Sequence, residues 1–306
     1  MLTEADVSAS LVGTGEIVVL GPGQVALSGR PLQLVEFFDG AFAASAHALG
    51  AVDYSFPTLL PLEDADRFGI LESFGHLATF VSGIRAGDDA VLAMLDDRRH
   101  GDGDGAVGDW LAPAAHLLTT AVCYQLYRSL AGRQLPGELI ATSCGSSYRI
   151  EAAFSAALAR LWEFHMREIV TIASPRRVSR TGAQLRDVTV RFARHLGLAP
   201  KVVPAVDPFF TAARGKALVQ RMRALKHELV LPLGAGSTIA VASFNRHETF
   251  FSSAASFSLA GAARTTTGCV AFGLERWVLA FLCRHGLDES QWPECVRQGG
   301  CSHVPI

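Results

Sequence analysis

The stretch "YRIEAAFSAALARLWEFHMREIV", residues 148–170, frames an alanine-rich run with Arg149 and Glu151 before it and the aromatic Phe164 and the charged Arg167 and Glu168 after it. Two readings fit. If the flanks are strands, side chains two apart share a face, so Arg149 and Glu151 point the same way. A guanidinium aimed at a phosphate beside an aromatic ring that can cover a base is then a nucleotide site. If "AAFSAALARLWEF" is helix instead, the same charges are solvated residues of a helical hairpin. Periodicity leaves both open, and the fold class turns on which holds.

The rest of the chain narrows the choice. Its 306 residues, 49% hydrophobic and 18% charged, can bury one large core or a core with a small appendage. A net charge of -2 leaves no global basic field of the kind that drives nucleic-acid binding by counterion release. The N-terminal segment "MLTEADVSASLVGTGEIVVL" has no basic n-region and only a four-residue apolar run, so neither a secretory signal nor a membrane anchor is expected. The low-charge stretch 110–127 carries Pro113, His116, Thr119, Thr120 and Gln125, which suits core rather than lipid. A cytoplasmic protein is expected. Six cysteines, at 123, 144, 269, 283, 295 and 301, form no CxxC pair, and reduced thiols acting as small hydrophobes are the default.

Residues 15–28, "GEIVVLGPGQVALS", read as two short strands around a Gly-Pro turn, and 31–50 carry apolar residues at helical spacing up to Gly50. A strand-then-helix opening is expected. "RRHGDGDGAVGDW", 98–110, is rich in glycine and aspartate and reads as a surface loop. From 182 to 229 the pattern is helical, with "GAQLRDVTVRFARHLGL" and "GKALVQRMRALKHEL" separated by the proline-rich "APKVVPAVDPFF". Strand-like runs return at "ELVLPL" and "STIAVASFN", and "TTTGCVAFGLERWVLAFLCRHG" passes from strand into a helix ended by Gly286. Strands and helices do not alternate as βαβ units. An α+β domain on a mixed, mostly antiparallel sheet is expected.

Common catalytic motifs are missing. "GPGQ", "PLGAGSTI" and "ARGKALV" each imitate part of a nucleotide loop, but none has the GxxxxGK[ST] spacing, and no GxGxxG follows a strand. Turn glycines account for all three. There is no HExxH, no GxSxG and no compact Cys/His box.

The order of phrases decides between the two readings of 148–170. "YRIE" followed by "FHMRE" resembles motif 2 of the class II aminoacyl-tRNA synthetases, and "GCVAFGLERWVLAFL" (268–282) resembles their motif 3. Residues 37–80, "FFDGAFAASA…GHLATF", resemble the segment that carries motif 1 and dimerisation. Within that class, "VCYQLY", "ARLWEFHMREIV", "DPFF", "LKHELVLPL", "SFNRHETFF" and "GCVAFGLER" resemble, in order over residues 30–288, the truncated seryl-tRNA synthetase homologues known as amino acid:[carrier protein] ligases.

The resemblance implies a class II catalytic domain, a mixed and mostly antiparallel sheet flanked by helices, with a helical insertion at 182–227. It implies that ATP and a small α-amino acid form an aminoacyl adenylate, and that a carrier protein's phosphopantetheine thiol then takes the acyl group. A catalytic-site zinc is implied at Cys123, Glu168 and Cys269, a set that no spacing search finds because the ligands are far apart in the chain. Three protein ligands leave a tetrahedral zinc one open position, which the substrate amine fills in that family.

By the same carry-over, Arg149 holds the α-phosphate and the substrate carboxylate, Phe164 and Arg276 sandwich adenine, and Glu151 reads the adenine edge. Glu228 and Asn245 match positions near the substrate. Mg²⁺ accompanies ATP, but Ile239 stands where the seryl enzymes place an acidic Mg²⁺ ligand six residues before the asparagine, leaving Glu228 and Glu248 as acidic candidates. Trp162 and His165 are foreign to the family's usual loop.

A symmetric homodimer is implied. No segment before residue 30 is long enough for a tRNA-binding coiled coil, so no tRNA partner is expected. A docking arm for an acidic carrier protein is expected around Arg186, Arg191, Arg194, Lys201, Arg214, Lys216, Arg221, Arg223 and Lys226. Two rivals remain: transfer of the adenylate to a small-molecule acceptor, and a non-catalytic amino-acid-binding paralogue.

Overall fold

The computed structural model describes residues 1–85, 87–100, 107–151, 154, 158–207, 220 and 223–299. A helix, α1 (Glu4–Gly13), precedes the hairpin of β1 (Ile17–Gly21) and β2 (Gln24–Leu27), and α2 (Gly29–His47) follows it. The strand-then-helix opening is thus correct in order, but α1 is additional. Its signal is a Thr3 capping box with Asp6, a spacing of local hydrogen bonds rather than of apolar residues.

Seven described strands make the main sheet. They are β3 (Val52–Asp53), β4 (Leu139–Tyr148), β5 (Glu163–Ala173), β6 (Lys201–Pro204), β7 (Lys226–Pro232), β8 (Thr238–Glu248) and β9 (Thr266–Gly273). Their order is β6-β7-β8-β9-β5-β4-β3, antiparallel throughout except for the parallel β3–β4 pair. The 148–170 stretch therefore has a strand at each of its described ends, β4 up to Tyr148 and β5 from Glu163. Tyr148 is the last residue of β4 and Glu163 the first of β5, so Arg149 and Glu151 stand just past the strand end and not on it.

Alternation divides the sheet's side chains between two cores. On β9, Val270 and Phe272 enter one core, while Cys269 and Ala271 enter the other. The first core is closed by α2 and by the motif-3-like helix α5, introduced after α3 (Cys123–Ser129) and α4 (Pro175–His195) as Leu274–His285. Phe42 stacks on Phe272 at 4.0 Å between centroids, and Phe38 meets the fully buried Trp277 at 5.4 Å. Burying rings of this size supplies about 2–3 kcal/mol each, which anchors α2 and α5 to the sheet. The second core, beneath α3, holds Tyr124, Tyr127, Phe251, Cys123 and Cys269.

The helical reading of 182–229 is corrected at both ends. α4 begins earlier, at Pro175, and lays Val178, Leu185, Val188 and Phe192 on the sheet, the spacing of an amphipathic helix. Gly268 of β9 admits this approach, since a Cβ there would stand 2.7 Å from Val178 Cγ1. Residues 226–229 are strand: Leu229 and Leu231 alternate into the core and outweigh the helical periodicity. "DPFF" beyond Asp207, and Arg214, Lys216, Arg221 and Cys301, lie outside the described residues. The expected loop at 98–110 is likewise shortened, because a helix continues to His100. Among the described residues no helix is long and apolar enough to cross a membrane.

Candidate active site

Three distant segments meet on the α3 side of the sheet. Cys123 opens α3, Glu168 lies on β5 and Cys269 on β9, and their ligand atoms all fall within 4.8 Å of one another. Cys269 Sγ donates to Glu168 Oε1 at 3.3 Å, and the Cys123 backbone N–H donates to Glu168 Oε2. All three are buried. The neighbouring Cys123 thiol, burial and the Glu168 charge push the Cys269 thiol well above its ordinary range. Cys123 is also raised: its hydrogen bond with Cys269 lowers it, and burial with the Glu168 charge overcomes that. Burial lifts Glu168 despite the hydrogen bonds that it accepts. Three acids crowded into a dry pocket with so little counter-charge fit a divalent cation, and a two-thiolate, one-carboxylate set suits zinc.

Arg149 sits beside this trio. Its Nε donates to Thr120 O at 3.0 Å, and its guanidinium lies 5.4 Å from the centre of the Phe164 ring. Glu151 pairs with Arg160 at 3.1 Å. Arg276, in the first turn of α5, donates to Ala159 O at 2.9 Å and Ala240 O at 3.3 Å. Burial, then the Arg149 charge, hold it below the usual arginine range, and Glu151 partly offsets them. Arg149, Glu151 and Arg276 therefore form one electrostatic neighbourhood at the 149–162 loop.

Glu228 and Asn245 sit further along the same face. Asn245 pairs with Cys269 in strand register and donates to Ser243 Oγ at 3.0 Å. Glu228 accepts from Lys226 at 3.0 Å, and Lys226 Nζ also reaches Asp207 Oδ1 at 2.6 Å. Lys226 is thus a buried bridge between two carboxylates and not part of a solvent-facing basic surface. Lys226, Gln220 and Arg149 together hold Asp207 below its ordinary range against the opposing effect of burial. Tyr124 adjoins both groups: burial, then the Cys123 and Asp207 charges, raise its hydroxyl.

Sequence reasoning assigned no role to Asp207 or Tyr124, although both lie in quoted phrases, "DPFF" and "VCYQLY". Other expected groups lie elsewhere. Arg167 and His165 turn away, to Asp39 of α2 and to Glu275 of α5. Glu248 pairs with the exposed Arg223 at 2.7 Å, and Ile239 is buried in the first core. A cavity of about 270 Å³ lies against α4, lined by Val178, Leu185, Arg186, His227 and Phe244 as well as Asn245 and Cys269.

A seven-stranded, mostly antiparallel sheet flanked by helices is the fold of class II aminoacyl-tRNA synthetase catalytic domains. The seryl-tRNA synthetase of M. kandleri, solved with A. aeolicus tRNASec, superposes with a TM-score of 0.87 at 25% identity, over 100% of this chain and 63% of that one. A Naegleria fowleri cytoplasmic serine–tRNA ligase, solved with AMP, has a TM-score of 0.73 at 12% identity and shows the fold alone.

Within that class the chain belongs to the amino acid–[acyl-carrier-protein] ligase family. Ligases 1 and 2 of Bradyrhizobium diazoefficiens are each 34% identical to it, over 264 and 255 residues. The matches cover 84% and 79% of this chain and 78% and 72% of theirs. The type-2 serine–tRNA ligase of Methanopyrus kandleri is 29% identical, and the chain spans about half of its length, 53%. No family model matches the chain.

Proposed function

We propose that this ligase activates a small α-amino acid with ATP and passes the aminoacyl group to the phosphopantetheine thiol of a carrier protein in the cytoplasm. The observation that carries the reading is the buried Cys123–Glu168–Cys269 trio, on whose Glu168 the charge of Arg149 acts from just past the end of β4. Cys123, Glu168 and Cys269 would hold a zinc ion, which would offer the substrate amine an open coordination position. The remaining chemistry falls to the chain's own side chains.

In the first step, a substrate carboxylate oxygen forms a bond to the α-phosphorus and the bond to pyrophosphate breaks. No general base is required, since the nucleophile enters as the anion. Arg149, fixed through Nε by Thr120 O, neutralises charge on the α-phosphate and carboxylate, the work of a preorganised electrostatic site. Arg276 and Phe164 hold the nucleotide, Glu151 faces its base, and ATP enters as its Mg²⁺ complex. Asp207 and Glu228, bridged by Lys226, provide negative charge toward the amine end of the amino acid. In the second step the thiol sulfur bonds to the acyl carbon, AMP leaves, and the thiol proton passes to solvent or to the departing phosphate.

Carrier docking is proposed on the exposed residues Arg191, Arg194 and Lys201 and on the 208–222 region, with a homodimer formed through residues 37–80. The test is amino-acid-dependent ATP–pyrophosphate exchange over a panel of small amino acids, with metal content measured on the same preparation. Exchange with one or two amino acids and about one zinc per chain, both lost in Cys269→Ala, supports the reading. A zinc-loaded protein that exchanges with none favours the non-catalytic paralogue.

A further inference from the structure

Two features are left over by this reading, the "GPGQ" turn (21–24) and Trp162, and they touch. Trp162 lies on the returning limb of the 149–162 loop. Its N–H donates to Gly23 O at 2.9 Å, and its carbonyl accepts from the Arg149 N–H at 2.8 Å. Its indole Nε1 crosses the loop base and donates to the Glu151 carbonyl at 3.1 Å. The indole also lies directly on Gly23: a Cβ built there would stand 2.6 Å from Trp162 Cδ1 and 2.7 Å from its Cβ. Gly23 has φ +66°, so only glycine fits, for backbone and for contact reasons alike. The hairpin behind it is itself held, because Glu16 at the start of β1 pairs with Arg30 of α2.

We propose that Trp162 is a positioning residue for the nucleotide. It clamps the two limbs of the 149–162 loop to each other and to Gly23 of the N-terminal hairpin, and so fixes where Arg149 and Glu151 present their side chains. The inference rests on the ATP-dependent reading above. Trp162 acts through Glu151, whose carbonyl accepts from its indole, and through Arg149, whose N–H donates to its main-chain carbonyl. Small misplacements of such groups cost catalysis steeply, and the cost should fall more on ATP, whose phosphate and base these two residues meet, than on the amino acid, whose carboxylate only Arg149 meets.

The test compares wild type, Trp162→Phe and Trp162→Ala as full-length protein. ATP–pyrophosphate exchange gives separate KM values for ATP and for the amino acid, zinc content is measured, and deuterium uptake is followed in peptides covering 148–163 and 15–28. Phe keeps a ring on Gly23 and loses the Nε1 donor, so its KM for ATP should rise about threefold, against about tenfold or more for Ala. The amino-acid KM should rise by less than the ATP KM, zinc content should stay within about twofold, and both peptide segments should exchange faster. An unchanged ATP KM in folded Trp162→Ala, or an equal rise in both KM values, overturns the proposal. If the wild type shows no exchange reaction at all, the adenylation reading has failed and deuterium uptake decides the clamp. Faster uptake confined to the two segments sustains it, and uptake equal to wild type overturns it.

Discussion

Arg167 and Glu168 are adjacent in sequence and serve opposite faces of one sheet. Glu168 points into the metal trio, while the Arg167 guanidinium crosses to Asp39 of α2 at 2.5 and 2.8 Å and donates to Thr142 Oγ1 at 3.1 Å. The pleat of β5 forces this division. The face that carries the trio is thereby tied, through a single peptide unit, to the helix in which the motif-1-like segment begins.

Removing either partner of the Arg167–Asp39 pair leaves a largely buried charge without its counter-ion. Arg167→Met or Asp39→Asn should each cost about 2–3 kcal/mol of stability, with the double variant costing little more than either single one. Denaturant unfolding measures this. Exchange activity per folded molecule should stay near wild type, since neither side chain faces the site.

The trio predicts which thiols matter. Cys123→Ala and Cys269→Ala should purify with less than about a tenth of a zinc per chain and without exchange activity. Cys144→Ala and Cys283→Ala should keep both. Cys144 faces Asp39 and Arg167, with burial and the Asp39 charge pushing its thiol up to about 12, and Cys283 is packed in the first core. Metal analysis of the four proteins separates the groups.

How much of this was legible in the sequence depends on which physical signal each element carries. β8, β9 and α5 read correctly because their alternation and helical spacing are strong and local. The helical reading ran on too far, into residues 226–229, whose strand state comes from pairing with β8. The metal trio was reachable only through resemblance: Cys123, Glu168 and Cys269 are 45 and 101 residues apart, and only the folded sheet makes them neighbours. Lys226 was assigned to the basic surface because charge alone cannot reveal burial between two carboxylates. Asp207 had no local pattern at all.

Lys226 supplies a prediction that distinguishes these two assignments. As a bridge between Asp207 and Glu228, its loss in Lys226→Met leaves two acids facing each other beside the amine end of the substrate. The amino-acid KM in the exchange reaction should rise about tenfold or more, with Lys226→Arg restoring part of it. Were Lys226 a docking residue, exchange would be untouched and only transfer to the carrier protein would slow.

The Glu16–Arg30 pair sets a pH dependence on the N-terminal hairpin. The Arg30 guanidinium, which also donates to Leu287 O at 2.5 Å, holds the Glu16 carboxyl at about 2, well below its ordinary 4.5. A depressed folded-state value means that the carboxylate form is favoured by folding. Its contribution is therefore complete above the unfolded value and is lost as pH falls through the folded one. Compared with Glu16→Gln, wild type should melt higher by a gap that is constant from pH 7 down to about 5. The gap should then close as pH drops toward 2, because below both values both proteins carry an uncharged side chain at position 16. Paired melting curves from pH 7 to pH 2 measure it. A gap that persists unchanged at the acid end would mean that Glu16 acts through packing, and the electrostatic account of how the hairpin is held to α2 would fail.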